Sequence, residues 1–127
     1  MKFDYSRTRI PPELFVPVRI YSFAQTSFFP ARGKLDTGAD ITVIPENARM
    51  ELKLFPRSLA RIKNPWDGSV SEKSIYYITI TVADAFEFDL KALAWQKDYC
   101  LIGRDLLNQI VLQADGPAGV FEINLPE

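Results

Sequence analysis

Two runs in the second half of the chain alternate between apolar and polar residues, and they constrain the fold more than any other feature. They are SIYYITITV (residues 74–82) and AFEFDLKALAW (residues 85–95). A period of two is typical of a strand with one buried face, and β-branched and aromatic residues favour strands. These runs therefore predict two strands, and shorter runs at residues 14–23 and 41–44 predict two more.

Turn-forming residues divide much of the remaining chain into hairpins. Asn-Pro and Asp-Gly pairs lie in the middle of residues 58–83, which predicts two strand arms around a turn. Residues 111–125 predict a C-terminal hairpin with its turn at residues 115–119. A shorter turn is predicted at residues 24–27.

Two short segments predict helical turns. Residues 45–52 begin with proline, which favours the first turn of a helix, and residues 103–110 space their leucines as one helix face would. The chain has 127 residues, a length that suits one domain. We therefore expect a single all-β domain, residues 1–127, with one or two short helices and an N-terminal arm at residues 1–13.

Composition excludes several kinds of chemistry. The chain contains no histidine, which excludes Ser-His-Asp and Cys-His catalysis and zinc sites built from Cys and His within this chain. It has no glycine-rich phosphate loop. Its 15 basic and 16 acidic residues give a net charge of −1, so nucleic acid is not an expected partner. No apolar run is long enough to span a membrane, and carboxylates are the best remaining catalytic candidates.

The single cysteine, Cys100, excludes an internal disulfide and fits a reducing compartment, so we expect a cytoplasmic location. It precedes an apolar strand, and no histidine can activate it. A buried thiol is therefore favoured over a nucleophile.

The stretch KLDTGADITVIP (residues 34–45) contains the strongest catalytic candidate, Asp36, followed by threonine and glycine. An Asp-Thr-Gly sequence alone is also typical of an ordinary turn. A second stretch, CLIGRDLLNQI (residues 100–110), changes this balance. It places Gly103 67 residues after Asp36, with the predicted hairpin between the two motifs.

This order of motifs resembles the retropepsins, the dimeric aspartic proteases of retroviruses, retroelements and some cellular proteins. The resemblance covers roughly residues 14–125. It implies a closed half-barrel of the acid-protease type, in which the hairpin at residues 58–83 is a flap that closes over substrate. It also implies a two-fold homodimer, because one chain supplies only one aspartate and the dyad needs two.

The resemblance assigns catalytic roles to three consecutive residues. Asp36 of two copies would form a dyad, in which two close carboxylates share one proton and activate a water molecule. Thr37 would fix the loop across the dimer axis. Gly38 would let the backbone approach the dyad. Gly103 and Arg104 would support this site.

Substrate-binding residues are expected on the loop, the neighbouring strands and the flap: Ala39, Asp40, Val43, Ile44, Trp66, Asp67, Gly68 and Ile102. Asp40 is either a substrate contact held by an ion pair with Arg104 or a turn carboxylate. Trp66 either covers substrate or, the preferred interpretation, packs at the hairpin base. Lys34 stands where viral enzymes usually have an apolar residue, so it either favours acidic or polar side chains or points away. Asp105 is interpreted as a helix cap or as a complement to the helix dipole.

The leading hypothesis is a homodimeric aspartic endopeptidase that needs no metal or organic cofactor. An alternative is a retropepsin-like dimer that binds peptides or a partner protein with little or no turnover, and a third is a plain all-β interaction domain. The expected partners are a second copy of the chain and a peptide or protein substrate, with no nucleic acid and no membrane. Residues 120–125 are expected to contribute to the dimer sheet.

Overall fold

The structure is a computed structural model that describes residues 1–23 and 27–127, so most of the turn predicted at residues 24–27 lies outside the described residues. The strands are β1 (Lys2–Asp4), β2 (Phe15–Ser22), β3 (Phe28–Leu35), β4 (Val43–Pro45), β5 (Ser58–Lys63), β6 (Val70–Val82), β7 (Phe86–Trp95), β8 (Cys100–Ile102), β9 (Val111–Asp115) and β10 (Val120–Asn124). The helices are α1 (Glu46–Glu51) and α2 (Arg104–Leu107).

Seven strands form one sheet in the order β2-β3-β8-β4-β7-β6-β5, and β2 also pairs with β6, which closes the sheet into a barrel. The alternation read from residues 74–82 is present in β6, where Tyr76, Ile78 and Ile80 are buried. The neighbouring strand β7, which pairs with β6, buries Phe88 and Leu90 in the same way. The predicted all-β barrel with two short helices is therefore confirmed.

The N-terminal arm (residues 1–13) is folded onto the C-terminal hairpin in a second, three-stranded sheet of order β1-β10-β9. Phe3 stacks on Phe121 with ring centroids 5.2 Å apart, and Phe121 is buried. The arm then returns to the barrel, where Ser6 and Glu13 exchange two backbone hydrogen bonds of 2.7 and 2.9 Å. Both ends of the chain thus lie in one sheet.

Strands β5 and β6 form an antiparallel hairpin that extends beyond the barrel. Every residue at its outer end, from 61 to 73, is exposed. Side chains make the turn, because Asn64 Oδ1 accepts the Trp66 N–H at 2.8 Å and Asp67 Oδ1 accepts the Ser69 N–H at 2.8 Å. Gly68 has a φ of +73°, a conformation that glycine adopts without strain. The two strand arms predicted for this region are therefore present.

Within the described ranges, neither helix has the length and apolar character needed to cross a membrane.

Candidate active site

The aspartate loop (residues 36–40) begins where β3 leaves the sheet. The Asp36 backbone N–H donates to the carbonyl of Ile102 at 3.0 Å, so β8 holds the start of the loop. The Gly38 N–H donates to Asp36 Oδ1 at 2.8 Å and orients the carboxylate. Asp36 is half-buried and its neighbours Thr37 and Gly38 are exposed, so the carboxylate lies at the surface of the chain and not in its core.

Two glycines allow this loop and the segment after β8 to come close together. A Cβ atom at Gly38 would lie 3.1 Å from Asp36 Oδ1 and would crowd the carboxylate. A Cβ atom at Gly103 would lie 2.8 Å from the carbonyl carbon of Ile41 and 3.0 Å from the carbonyl oxygen of Ala39. Backbone atoms cannot rotate away as side-chain atoms do, so Gly103 permits the contact on which the loop depends.

Arg104 ties the aspartate loop to the start of α2. Its guanidinium pairs with the Asp40 carboxylate and also donates to the Thr37 carbonyl at 2.7 Å. Its backbone N–H donates to the Ala39 carbonyl at 2.8 Å. The predicted ion pair between Arg104 and Asp40 is therefore confirmed. The Asp40 side chain remains 85% exposed, so it stays accessible as well as fixed.

A buried threonine makes a second brace that the sequence analysis missed. Thr42 is fully buried, and its hydroxyl donates to Asp105 Oδ1 at 2.8 Å while its backbone N–H donates to Asp105 Oδ2 at 3.0 Å. The same hydroxyl accepts the Gly103 N–H at 3.2 Å. Of the two interpretations of Asp105, the N-cap is wrong, because Gly103 occupies that position of α2. Asp105 lies in the first turn, where a carboxylate complements the helix dipole, and it also accepts the Leu106 N–H at 3.0 Å.

The register of the central strands corrects the predicted pocket lining. Ile44 and Ile102 are completely buried and belong to the barrel core, so neither can line a cleft in this chain. Residues paired across neighbouring strands point to the same side of a sheet. On these strands, the side that faces away from the barrel core carries Lys34, Leu101, Val43 and Leu93, which pair with one another across the strands. We call these four residues the outer row.

All four residues of the outer row are half-buried, and Lys34 lies two positions before Asp36. Val43 was predicted to contact substrate and keeps a position compatible with that role. Leu101 was missed, and the alternation of its strand could have identified it, because Leu101 points to the side opposite Cys100 and Ile102. Leu101, Val43 and Leu93 of the outer row thus form a partly exposed apolar strip on neighbouring strands.

The tip of the hairpin remains free of the rest of the chain. Trp66 is 93% exposed, so the preferred interpretation that it packs at the hairpin base is wrong. Its neighbours Asp67 and Gly68 are also exposed. Hydrogen bonds from Ser69 hold the pKa of Asp67 below its ordinary value. The structure thus brings together the residues of the two motifs but leaves the predicted flap residues exposed, with their hydrogen bonds made inside the hairpin turn.

Lys34 is paired with the N-terminal arm. Its ammonium lies 2.6 Å from Glu13 Oε2. The hydrogen bond that Lys34 donates to Glu13 raises the pKa of Lys34 and lowers the pKa of Glu13. Lys34 is therefore neither unpaired in the cleft nor directed entirely to solvent.

Cys100 is completely buried, and burial raises the pKa of its thiol to about 12. A thiol this weakly acidic is not a nucleophile near neutral pH, which agrees with its predicted structural role. Among residues 1–23 and 27–127, no group of three or more potential metal ligands comes together.

Comparison with solved structures gives the fold a name. The structure matches a retropepsin-like aspartic protease from Rickettsia conorii with a TM-score of 0.66 and 13% sequence identity, over 98% of this chain and 91% of that one. It matches the EIAV protease in complex with the inhibitor HBY-793 with a TM-score of 0.54 and 21% identity, over 79% of this chain and 89% of that one.

A third match is the foamy viral protease-reverse transcriptase in complex with an RNA/DNA hybrid, with a TM-score of 0.60 and 26% identity over 81% of this chain. This chain spans only 12% of that much longer protein. No protein-family model and no curated protein matches the chain.

The barrel and its aspartate loop define the class of acid-protease folds. Within that class, the chain has the retropepsin-like fold, and the resemblance read from the two sequence motifs is confirmed at the level of fold.

Proposed function

We propose that this chain is an aspartic endopeptidase that acts as a homodimer. The observation that carries the proposal is how a retropepsin-like barrel exposes, orients and supports the Asp36 carboxylate. Its carboxylate is accessible, oriented by the Gly38 N–H, and placed on a loop that Gly103 and Arg104 brace from the start of α2. Rigid support of one accessible carboxylate is what a catalytic pair requires of each subunit.

Two Asp36 carboxylates brought together across a two-fold axis would share one proton, because two negative charges at short distance repel each other. The ionised carboxylate takes a proton from a water molecule, which then attacks the peptide carbonyl carbon. The protonated carboxylate donates its proton to the carbonyl oxygen. No metal ion or organic cofactor enters this scheme.

Dimerisation would use the three-stranded sheet that contains both chain ends. Residues 120–124 form its middle strand, β10, and both edges of that strand are occupied by β1 and β9 of the same chain. A partner strand must therefore add at the outer edge of β9 or of β1. The contribution of residues 120–125 to the dimer sheet remains a prediction. In it, β10 would be an inner strand of that sheet and would not pair directly with the partner chain.

The substrate would be an extended peptide bound between the outer row and the hairpin. Val43 and Leu101 offer apolar side chains beside the aspartate loop, and Asp40 offers an accessible carboxylate to backbone N–H groups of the peptide. The exposed hairpin tip, including Trp66, would close over the peptide. The exposure of this apolar side chain supports such a role, because burying it on substrate is favourable.

The proposal is tested with purified wild-type protein, Asp36→Asn, and Asp84→Asn as a matched control. Asp84 is an exposed turn carboxylate with a φ of +55°, a conformation that asparagine also tolerates. Each protein is incubated with a mixed peptide library from acidic to neutral pH, and products are identified by mass spectrometry. We expect wild type and Asp84→Asn to cleave the same peptides and Asp36→Asn to cleave none.

A mixing experiment tests the shared dyad. Because each active site needs one aspartate from each copy, excess Asp36→Asn chain should reduce wild-type activity as mixed dimers form, whereas excess Asp84→Asn chain should not. Absence of cleavage at every pH by a folded, dimeric wild type would refute the protease proposal. Stable complexes with intact peptides would then favour the peptide-binding alternative.

A further inference from the structure

The ion pair between Glu13 and Lys34 places a carboxylate of the N-terminal arm beside the strand that carries the catalytic candidate. The two side chains are 19% and 32% exposed, so the pair lies at the surface of the domain but is partly shielded from water. Lys34 and Asp36 are two residues apart on β3 and the loop that follows, and the Asp36 charge contributes to the raised pKa of Lys34. The lysine thus faces two carboxylates, and it contacts Glu13.

The backbone fixes Glu13 from both sides. Its own N–H and carbonyl are paired with Ser6, which closes the loop of the arm. Its neighbour Leu14 accepts the Leu35 N–H at 2.9 Å, which joins the arm to β3 directly before Asp36. The carboxylate of Glu13 is therefore positioned by the fold and not merely by the flexibility of a surface side chain.

Other charges surround the pair. Arg9 and Arg32 face Glu13 and help to lower its pKa, and the hydroxyl of Tyr99 faces Lys34. Asp98 lines the same cavity of about 140 Å³ between the arm and the barrel, together with the two arginines and Glu13. Without the Glu13 carboxylate, the ammonium of Lys34 would have Asp36 on the side of the loop, and on the side of the cavity two arginines against the single carboxylate of Asp98.

We propose that Glu13 is a positioning residue that keeps the ammonium of Lys34 away from Asp36 and thereby preserves the shared proton of the catalytic pair. This inference rests on the proposed function for its catalytic consequence. An ammonium that moves to Asp36 favours the fully ionised pair, which has no proton to donate to the peptide carbonyl oxygen. The upper pH limit of activity would then fall.

The test is a double-mutant cycle of wild type, Glu13→Gln, Lys34→Met and the double variant. The basic limb of the pH profile of kcat/KM is measured for each. We expect Glu13→Gln to move this limb to lower pH by roughly half a unit to one unit, the size expected for one solvent-screened charge at close range. In the Lys34→Met background the same substitution should leave the limb unmoved.

A conservative variant separates position from charge. Glu13→Asp keeps the negative charge but withdraws the carboxylate by one methylene, which breaks the 2.6 Å contact with Lys34. If the position of the carboxylate matters, the basic limb of Glu13→Asp should move to lower pH, toward that of Glu13→Gln. If the charge alone matters, Glu13→Asp should match wild type. Equal shifts of Glu13→Gln with and without Lys34 would also overturn the proposal, as would lower kcat or thermal stability with an unmoved pH limb.

A second readout does not depend on turnover. The carboxyl carbon resonance of Asp36 is followed by NMR as a function of pH in the same variants, and its highest titration midpoint should move as the basic limb does. If wild type cleaves no peptide, the proposed function fails while this titration still decides whether Glu13 controls Lys34. If Asp36-dependent cleavage occurs and the cycle is additive, the proposed function stands and the role of Glu13 is refuted.

Discussion

Replacement of Gly103 by alanine tests most directly how the aspartate loop is held. The added methyl group would lie 2.8 Å from the Ile41 carbonyl carbon, 2.9 Å from the Ile41 carbonyl oxygen and 3.0 Å from the Ala39 carbonyl oxygen. All three atoms are backbone, so relief requires the loop and the segment after β8 to separate by about half an ångström. That separation stretches the hydrogen bonds from Arg104 to Ala39, 2.8 Å, and from Gly103 to Thr42, 3.2 Å.

The loss of stability can be estimated from the close contact and from the stretched hydrogen bonds. Overpacking of a tight contact typically destabilises by about 1–3 kcal/mol, and a weakened hydrogen bond contributes about 1 kcal/mol more. We therefore expect the free energy of unfolding to fall by about 2–4 kcal/mol. In a domain of this size the corresponding fall in Tm is roughly 8–15 °C.

The assay is thermal unfolding followed by circular dichroism, with Gly116→Ala as the matched control. Gly116 lies in the C-terminal hairpin turn, and a Cβ atom there would meet nothing within 4 Å. We expect the control to unfold close to the wild-type temperature and to cleave peptides normally. A Gly103→Ala variant with wild-type Tm and activity would show that the close approach of these backbones does not hold the loop.

Four further predictions concern other parts of the site. Arg104→Lys should lower turnover or weaken dimerisation, because an ammonium cannot bind the Asp40 carboxylate and the loop carbonyl in the same fork geometry; unchanged sedimentation and turnover would contradict this. Thr42→Val should lower the free energy of unfolding by about 1–3 kcal/mol in urea titrations, because it leaves polar partners unsatisfied beside a fully buried position. Trp66→Ala should raise KM while leaving Tm unchanged, since the side chain is 93% exposed in the free chain; a large fall in Tm would refute its exposed placement. Val111→Lys places a charge on the exposed face of β9 and should raise the dimer dissociation constant about tenfold or more without loss of monomer fold, measured by analytical ultracentrifugation.

The elements that the sequence predicted are those with a strong local signal. The alternating runs formed β6 and β7, and the proline before residues 46–51 precedes α1 as expected. The ion pair between Arg104 and Asp40 was also predictable, because the order of the two motifs resembles that of the retropepsins and the resemblance makes them neighbours in space. In each case, periodicity or motif order carried the information.

The errors have a different origin. Ile44 and Ile102 were assigned to a pocket because they are apolar and near a motif, whereas the phase of each strand decides which face they occupy. The Thr42–Asp105 brace and the Glu13–Lys34 pair join residues that are 63 and 21 positions apart in the sequence. No local pattern indicates that such polar residues meet, so only the topology of the sheet reveals these contacts.

The contacts around Asp36 divide the site into a part that is complete in one chain and a part that is not. The aspartate loop is held by Gly103, Arg104 and the buried Thr42–Asp105 brace within one chain, so under the proposed function dimerisation need supply only the second carboxylate. The hairpin tip is held by hydrogen bonds within its own turn, so we expect its contacts with the rest of the site to form when substrate binds. Substitutions in the brace should therefore change stability and kcat, whereas substitutions at the tip should change KM. A substitution in the brace that raised KM without changing stability or kcat would indicate that the position of the loop, too, depends on substrate.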